Sequence, residues 1–165
     1  MTREMWGSYL LLAFVLMPAL FRVRYGFSPV IVGDPRRDVY ARWEWGYGGC
    51  VAVFTIALFA LPVTGGSTIG GTAVLLSILL VLYASVAMGR SWRIGQREDD
   101  EHATFVRTGL YRWVAHPIYI GLVGLGIGTV LMLGVDDWCG WFLLITTLVY
   151  VVVQGHREQV RWQTG

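Results

Sequence analysis

Charge is scarce in this 165-residue chain: Asp, Glu, Lys and Arg make up 15% of it, against 55% for the hydrophobic set. With a mean hydropathy of +0.55, this excludes an ordinary soluble domain, in which about a quarter of residues are charged. Lysine is missing altogether, and all 13 basic residues are Arg. There are only two cysteines, Cys50 and Cys139, which form neither a CxxC pair nor the spacing of metal ligands, so packing in the apolar zone is their reading. The chain lacks a Ser-His-Asp constellation and a pair of catalytic carboxylates. Its net charge of +2 follows from topology and gives no reason to expect nucleic acid.

What the chain has instead is four uncharged runs, 5–21, 45–89, 113–135 and 138–155. One bilayer span takes roughly 17–25 residues. The second run is too long for one helix and carries Pro62, Gly65, Gly66, Gly70 and Gly71 at its middle, so it divides into two helices and a tight hairpin. The expected fold is all-α: a single integral-membrane domain over residues 1–165, a polytopic helical bundle with about five transmembrane helices near 6–22, 45–62, 70–89, 117–134 and 138–155. Phe21-Arg22-Val23-Arg24 offers no small-residue cleavage site, so the first run reads as a retained helix rather than a secretory signal.

Five spans put the arginines heavily on one side. Arg22, Arg24, Arg36, Arg37 and Arg42 fall between spans one and two, Arg90, Arg93, Arg97, Arg107 and Arg112 between three and four, and Arg157 and Arg161 after five, leaving Arg3 alone opposite. By the positive-inside tendency both long loops and the C-terminus are cytoplasmic, in what reads as the cell membrane. The first loop, 22–44, is expected to lie along lipid headgroups. In the other, Asp99, Asp100, Glu101 and His102 are consecutive, so they diverge on a helix and alternate on a strand. They form a solvated charge run, and no metal site is expected.

The richest stretch is Gly109-Leu110-Tyr111-Arg112-Trp113-Val114-Ala115-His116-Pro117-Ile118-Tyr119-Ile120-Gly121. Proline fixes φ and lacks an N–H, so Pro117 suits the first turn of a helix with His116 at its cap. Arg112, His116 and Tyr119 are spaced four and three, which puts them on one face if the helix continues through the corner. Two readings fit His116: a ligand-binding imidazole, or a helix start whose ring satisfies backbone groups. Tyr111, Trp113 and Tyr119 fit either a site or the aromatic belt of a bilayer interface. Arg112 fits a carboxylate or a headgroup, and Glu158 fits a ligand or a solvated helix end. Gly121, Gly124, Gly126 and Gly128 mark a closely packed span, one that can wall a cleft opening to lipid.

These residues resemble the isoprenylcysteine carboxyl methyltransferases and their prokaryotic relatives. Gly89-Arg90-Ser91-Trp92 looks like the start of that family's cytoplasmic segment, and Thr108 to Arg112 with His116-Pro117-Ile118-Tyr119-Ile120-Gly121 looks like its Gly-x-Tyr-Arg and His-Pro-x-Tyr-x-Gly signature. Glu158-Gln159-Val160 is similar to its paired-glutamate motif, with one glutamate kept. The likeness covers about 88–162. It implies an S-adenosylmethionine-dependent methyltransferase of the carboxyl O-methyltransferase kind, with His116, Pro117, Tyr111, Tyr119, Arg112 and Glu158 as cofactor-binding residues. The implied partners are membrane lipids and a lipophilic or prenylated methyl acceptor, carboxylate or amine. Ala115 stands where the family usually has a basic residue, Gln159 replaces the second glutamate, and the chain ends at Gly165, short of the relatives' helical tail. An NADPH-dependent, sterol-reductase-like oxidoreductase and a non-catalytic scaffold with a decayed site are the alternatives.

Overall fold

A computed structural model describes residues 16–26, 34, 36, 39–60, 67–92, 106–135 and 137–164. Over these residues the fold is all-helical: α1 (Met17–Tyr25), α2 (Val39–Ala60), α3 (Thr68–Met88), α4 (Pro117–Leu133) and α5 (Trp138–Thr164). Two 3-10 turns, Gly89–Ser91 and Gly109–Arg112, lie between α3 and α4.

Local chemistry fixes the helix ends. The Ser67 hydroxyl accepts from the Gly70 N–H at 3.3 Å and caps α3. α4 begins on Pro117 and stops at Gly134, where φ of +104° ends the helix and the N–H returns to the Val130 carbonyl at 2.9 Å. Asp137 then accepts from the Cys139 N–H at 2.7 Å, which starts α5 almost at once and makes it antiparallel to α4. Within the apolar helices, hydroxyls bond back to the preceding turn, as from Ser77 to Ala73, Thr129 to Leu125 and Thr146 to Phe142. These bonds satisfy the three hydroxyl protons in an oily medium.

The most extensive helix pair is α3 with α4, followed by α4 with α5 and α2 with α5. Glycine permits the first. A Cβ at Gly128 would lie 2.8 Å from the Val74 nitrogen and 2.9 Å from its Cγ2, and one at Gly121 would lie 2.5 Å from Val81 Cγ2. Gly126 and Gly140 give α4 the same close fit to α5, against Leu144 and Val130. The core forms where Phe54, Val74, Ile78, Leu125, Met132, Cys139 and Leu143 meet, so Cys139 is a packing residue.

Among the described residues, two helices are long and apolar enough to cross a membrane, Thr68–Ser91 and Trp138–Glu158, and Pro117–Leu133 is a shorter apolar helix. Only about a third of the first span is buried within the protein and less of the second, and Ile69, Leu76, Val86, Ile145 and Val152 are all more than half exposed. Apolar surface of that extent suits a lipid surround.

The five expected spans compare unevenly with this. Segments 70–89, 117–134 and 138–155 coincide with α3, α4 and most of α5, though α5 continues to Thr164. Residues 45–60 of segment 45–62 lie on α2, which starts earlier at Val39, so Arg42 and Glu44 stand on the helix and not in the headgroup loop. No breaker interrupts Val39 to Trp45, and the helix extends until its polar residues find partners. Only the end of segment 6–22 falls among the described residues, and the charge run 97–102 lies outside them.

Candidate functional site

The α4 start is held from three sides. Gly89 takes φ of +55°, a left-handed value open to glycine, and turns the chain off α3. Trp92 is thereby buried with Phe21 of α1, ring centroids 4.6 Å apart, in a cluster that includes Ile118 of α4. Further on, Gly109 at φ +58° opens the second 3-10 turn, and the Tyr111 hydroxyl donates to the Ala84 carbonyl at 3.3 Å. This pins the turn to the last residues of α3.

The helix does not run on through the corner. His116 has φ −133° and ψ 66°, outside the helical region, because the ring of Pro117 disfavours helical geometry at the preceding residue. Arg112 therefore does not share a helix face with His116 and Tyr119, as a continuous helix would require. It is exposed, with its guanidinium 5.7 Å from the centre of the Trp113 ring.

His116, Tyr119 and Glu158 do come together. The imidazole Nδ1 lies 3.0 Å from Glu158 Oε2, and the Tyr119 hydroxyl donates to Glu158 Oε1 at 2.7 Å. The His116 and Tyr119 rings stack at 5.2 Å with 18° between their planes. Glu158 comes from α5, 39 residues beyond Tyr119. The carboxylate thus holds two aromatic side chains of the α4 start while its side chain remains 18% exposed, and His116 remains 37% exposed. Pro117, the first residue of α4, is fully buried. Burial, and then the Glu158 charge, raise the Tyr111 phenol above its usual pKa, so it stays a proton donor.

Beside this cluster Arg107, Tyr111, Arg112, Trp113, Val114 and Ala115 line an open depression of about 660 Å³. Trp113 stands 82% exposed at its edge. No side chain caps the α4 N-terminus; Pro117 has no N–H and the Tyr119 and Ile120 N–H groups return to the His116 carbonyl at 3.1 and 3.3 Å, so it is the helix dipole that suits an anion.

The family model that matches the chain is that of the isoprenylcysteine carboxyl methyltransferase (ICMT) family, over residues 69–161. The chain belongs to this family. Comparisons with curated proteins and with solved structures gave no match. Membership in the ICMT family implies membrane-associated methyltransferase activity. The matched segment spans α3 to α5 and both 3-10 turns, and it begins earlier than the 88 suggested by the motifs alone. α3 carries no distinctive motif, only apolar residues and small ones where α4 packs.

A second polar cluster was not legible as a site. Glu44 of α2 accepts at Oε1 from Gln154 Nε2 and from Arg157 Nη1 of α5, both at 3.1 Å. All three are buried, and Gln154 Oε1 has no hydrogen-bond partner. One turn further into the bundle, Tyr47 stacks on Tyr150 at 4.1 Å and shares a 3.2 Å hydrogen bond with Thr147. Gln154 is the only amide in the run 138–155, and a polar residue inside a span usually faces the bundle interior. That was the available signal.

Proposed function

We propose that the protein transfers a methyl group from S-adenosylmethionine to a lipid-like or prenylated amphipathic acceptor, through a carboxylate or amine, at the cytoplasmic face of the cell membrane. The observation that carries this reading is the joining of His116, Tyr119 and Glu158 at an uncapped helix start, beside a depression that opens outward.

The residues present fit the methyl donor. Its carboxylate suits the positive end of the α4 dipole, and its ammonium or ribose hydroxyls suit the Glu158 carboxylate, which remains part-exposed beside the α4 start. The faces of Tyr111 and Trp113 suit adenine or a sulfonium. A volume of about 660 Å³ lies within the usual range for small-molecule sites, roughly 300–1,000 Å³. When bound, the donor supplies a methyl carbon that bonds to the acceptor as its bond to sulfur breaks, the electron pair staying on sulfur. The protein needs no acid or base if the acceptor is a carboxylate, which ionises near pH 4. Its tasks are alignment and exclusion of water. His116 and Tyr119, held by one carboxylate, provide a fixed rim for that alignment. Arg112 at the open edge suits the anionic part of an acceptor or a headgroup.

Purified protein in detergent is expected to be thermally stabilised by S-adenosylhomocysteine and not by NADPH. At about one hundred times the dissociation constant the gain is roughly 2.7 kcal/mol. Stabilisation by NADPH alone would transfer the site to hydride chemistry, and no shift with either ligand in folded protein would support a scaffold.

A further inference from the structure

We infer that Glu44, on α2 and upstream of the segment that matches the family, is a positioning residue that sets the rotation of α5 and so delivers Glu158 to His116. The placement of side chains on α5 carries the argument. Gln154 and Arg157 both bond Glu44 at 3.1 Å, while Glu158, one residue past Arg157, bonds His116 and Tyr119. Successive residues on a helix are about 100° apart, so the Gln154–Arg157 row and Glu158 occupy adjoining faces of one turn. A rotation of α5 that takes Arg157 off Glu44 therefore swings Glu158 away from the α4 start. The cap of α5 at Asp137 and the Gly126 and Gly140 contacts lie at the far end of a 27-residue helix. Nearer Glu158, beside that residue's own bonds to the α4 start, α2 holds α5 through Glu44 and through the Tyr47–Tyr150 stack.

A buried ion pair is a poor device for stability alone, because desolvation offsets much of the attraction, and its best use is to fix register. Glu44 has that form here, at 9% exposure against an Arg157 at 6%. Both of its partners sit on the helix whose orientation matters.

The test uses the full chain in detergent with isotopically labelled histidine. The His116 ring signal is assigned by its loss in His116→Gln. Glu44→Gln is expected to move that signal in the same direction as Glu158→Gln does. Glu44→Gln with Arg157→Gln, which removes both charges and leaves two amides able to bond, is expected to restore much of the native signal. Phe54→Leu loosens α2 against the same core without touching the polar row, and is expected to leave the signal in place. An unmoved His116 signal in Glu44→Gln overturns the proposal, as does an equal movement in Phe54→Leu. Under the methyltransferase reading, Glu44→Gln also weakens S-adenosylhomocysteine binding by about tenfold, the scale of coupling within one network. Failure of the wild type to bind that ligand would count against the methyltransferase reading alone, since the histidine signal needs no ligand.

Discussion

At the residue scale, the corner joins two unlike demands at one carboxylate. Glu158 accepts the Tyr119 hydroxyl at 2.7 Å and pairs with the His116 ring at 3.0 Å, while its side chain stays 18% exposed. Hydrogen bonds to a charged group are worth about 1.5–3 kcal/mol. Tyr119→Phe is thus expected to lower S-adenosylhomocysteine affinity by roughly tenfold, since Glu158 then loses the donor that orients it. His116→Ala is expected to abolish binding in calorimetry, and undiminished affinity would remove that residue from the site. The His-Pro corner could be read from the sequence because proline imposes its own geometry and the spacing to Tyr119 is short. Glu44 could not, since its partners lie more than a hundred residues away on another helix. A lone acid beside an apolar run looks the same whether it points to water or to an arginine.

At the element scale, the deciding feature is how closely α3 and α4 approach. The small-residue stripe on α4 was legible as a packing face, and Gly121, Gly124 and Gly128 all abut Ser77, Val81 or Val74 on α3. A methyl group at Gly128 meets backbone, which cannot rotate aside. Gly128→Ala is expected to cost about 1–3 kcal/mol, read as a lower melting temperature in detergent. Gly49→Ala makes the contrast: nothing lies within 4 Å of its Cβ position on α2, so the helix gains propensity, by roughly 0.5–1 kcal/mol, without a clash. Equal destabilisation by both changes would mean that α4 does not seat on α3 in this way. The break between Arg112 and His116 was the element the spacing argument overran. Counting four and three assumes an uninterrupted helix, and the residue before a proline resists that conformation. Here that restriction turns the chain outward and leaves Arg112 on the rim of the depression.

At the scale of the whole molecule, the apolar runs told where helices lie but not which helices touch. Composition fixes a partition between oil and water, whereas pairing depends on small residues and buried polar groups whose partners are distant in sequence. The α2–α5 seam is the result: Glu44, Tyr47 and Phe54 run antiparallel to Arg157, Tyr150 and Leu143, which ties the part of the chain outside the family match to the part within it. The arginine bias sets the last expectation. Arg107, Arg112 and Arg157 all lie at the end of the bundle that carries His116 and Glu158. A label attached after Gly165 should therefore be reached from the cytosol and shielded from outside in intact cells. The proposed methyl donor would make the same demand independently, because a zwitterion with a fixed sulfonium charge does not cross hydrocarbon at a useful rate and would have to meet the site from the compartment that holds it. A label accessible only from outside would set the corner on the wrong side of the bilayer for that donor, whatever the geometry around Glu158.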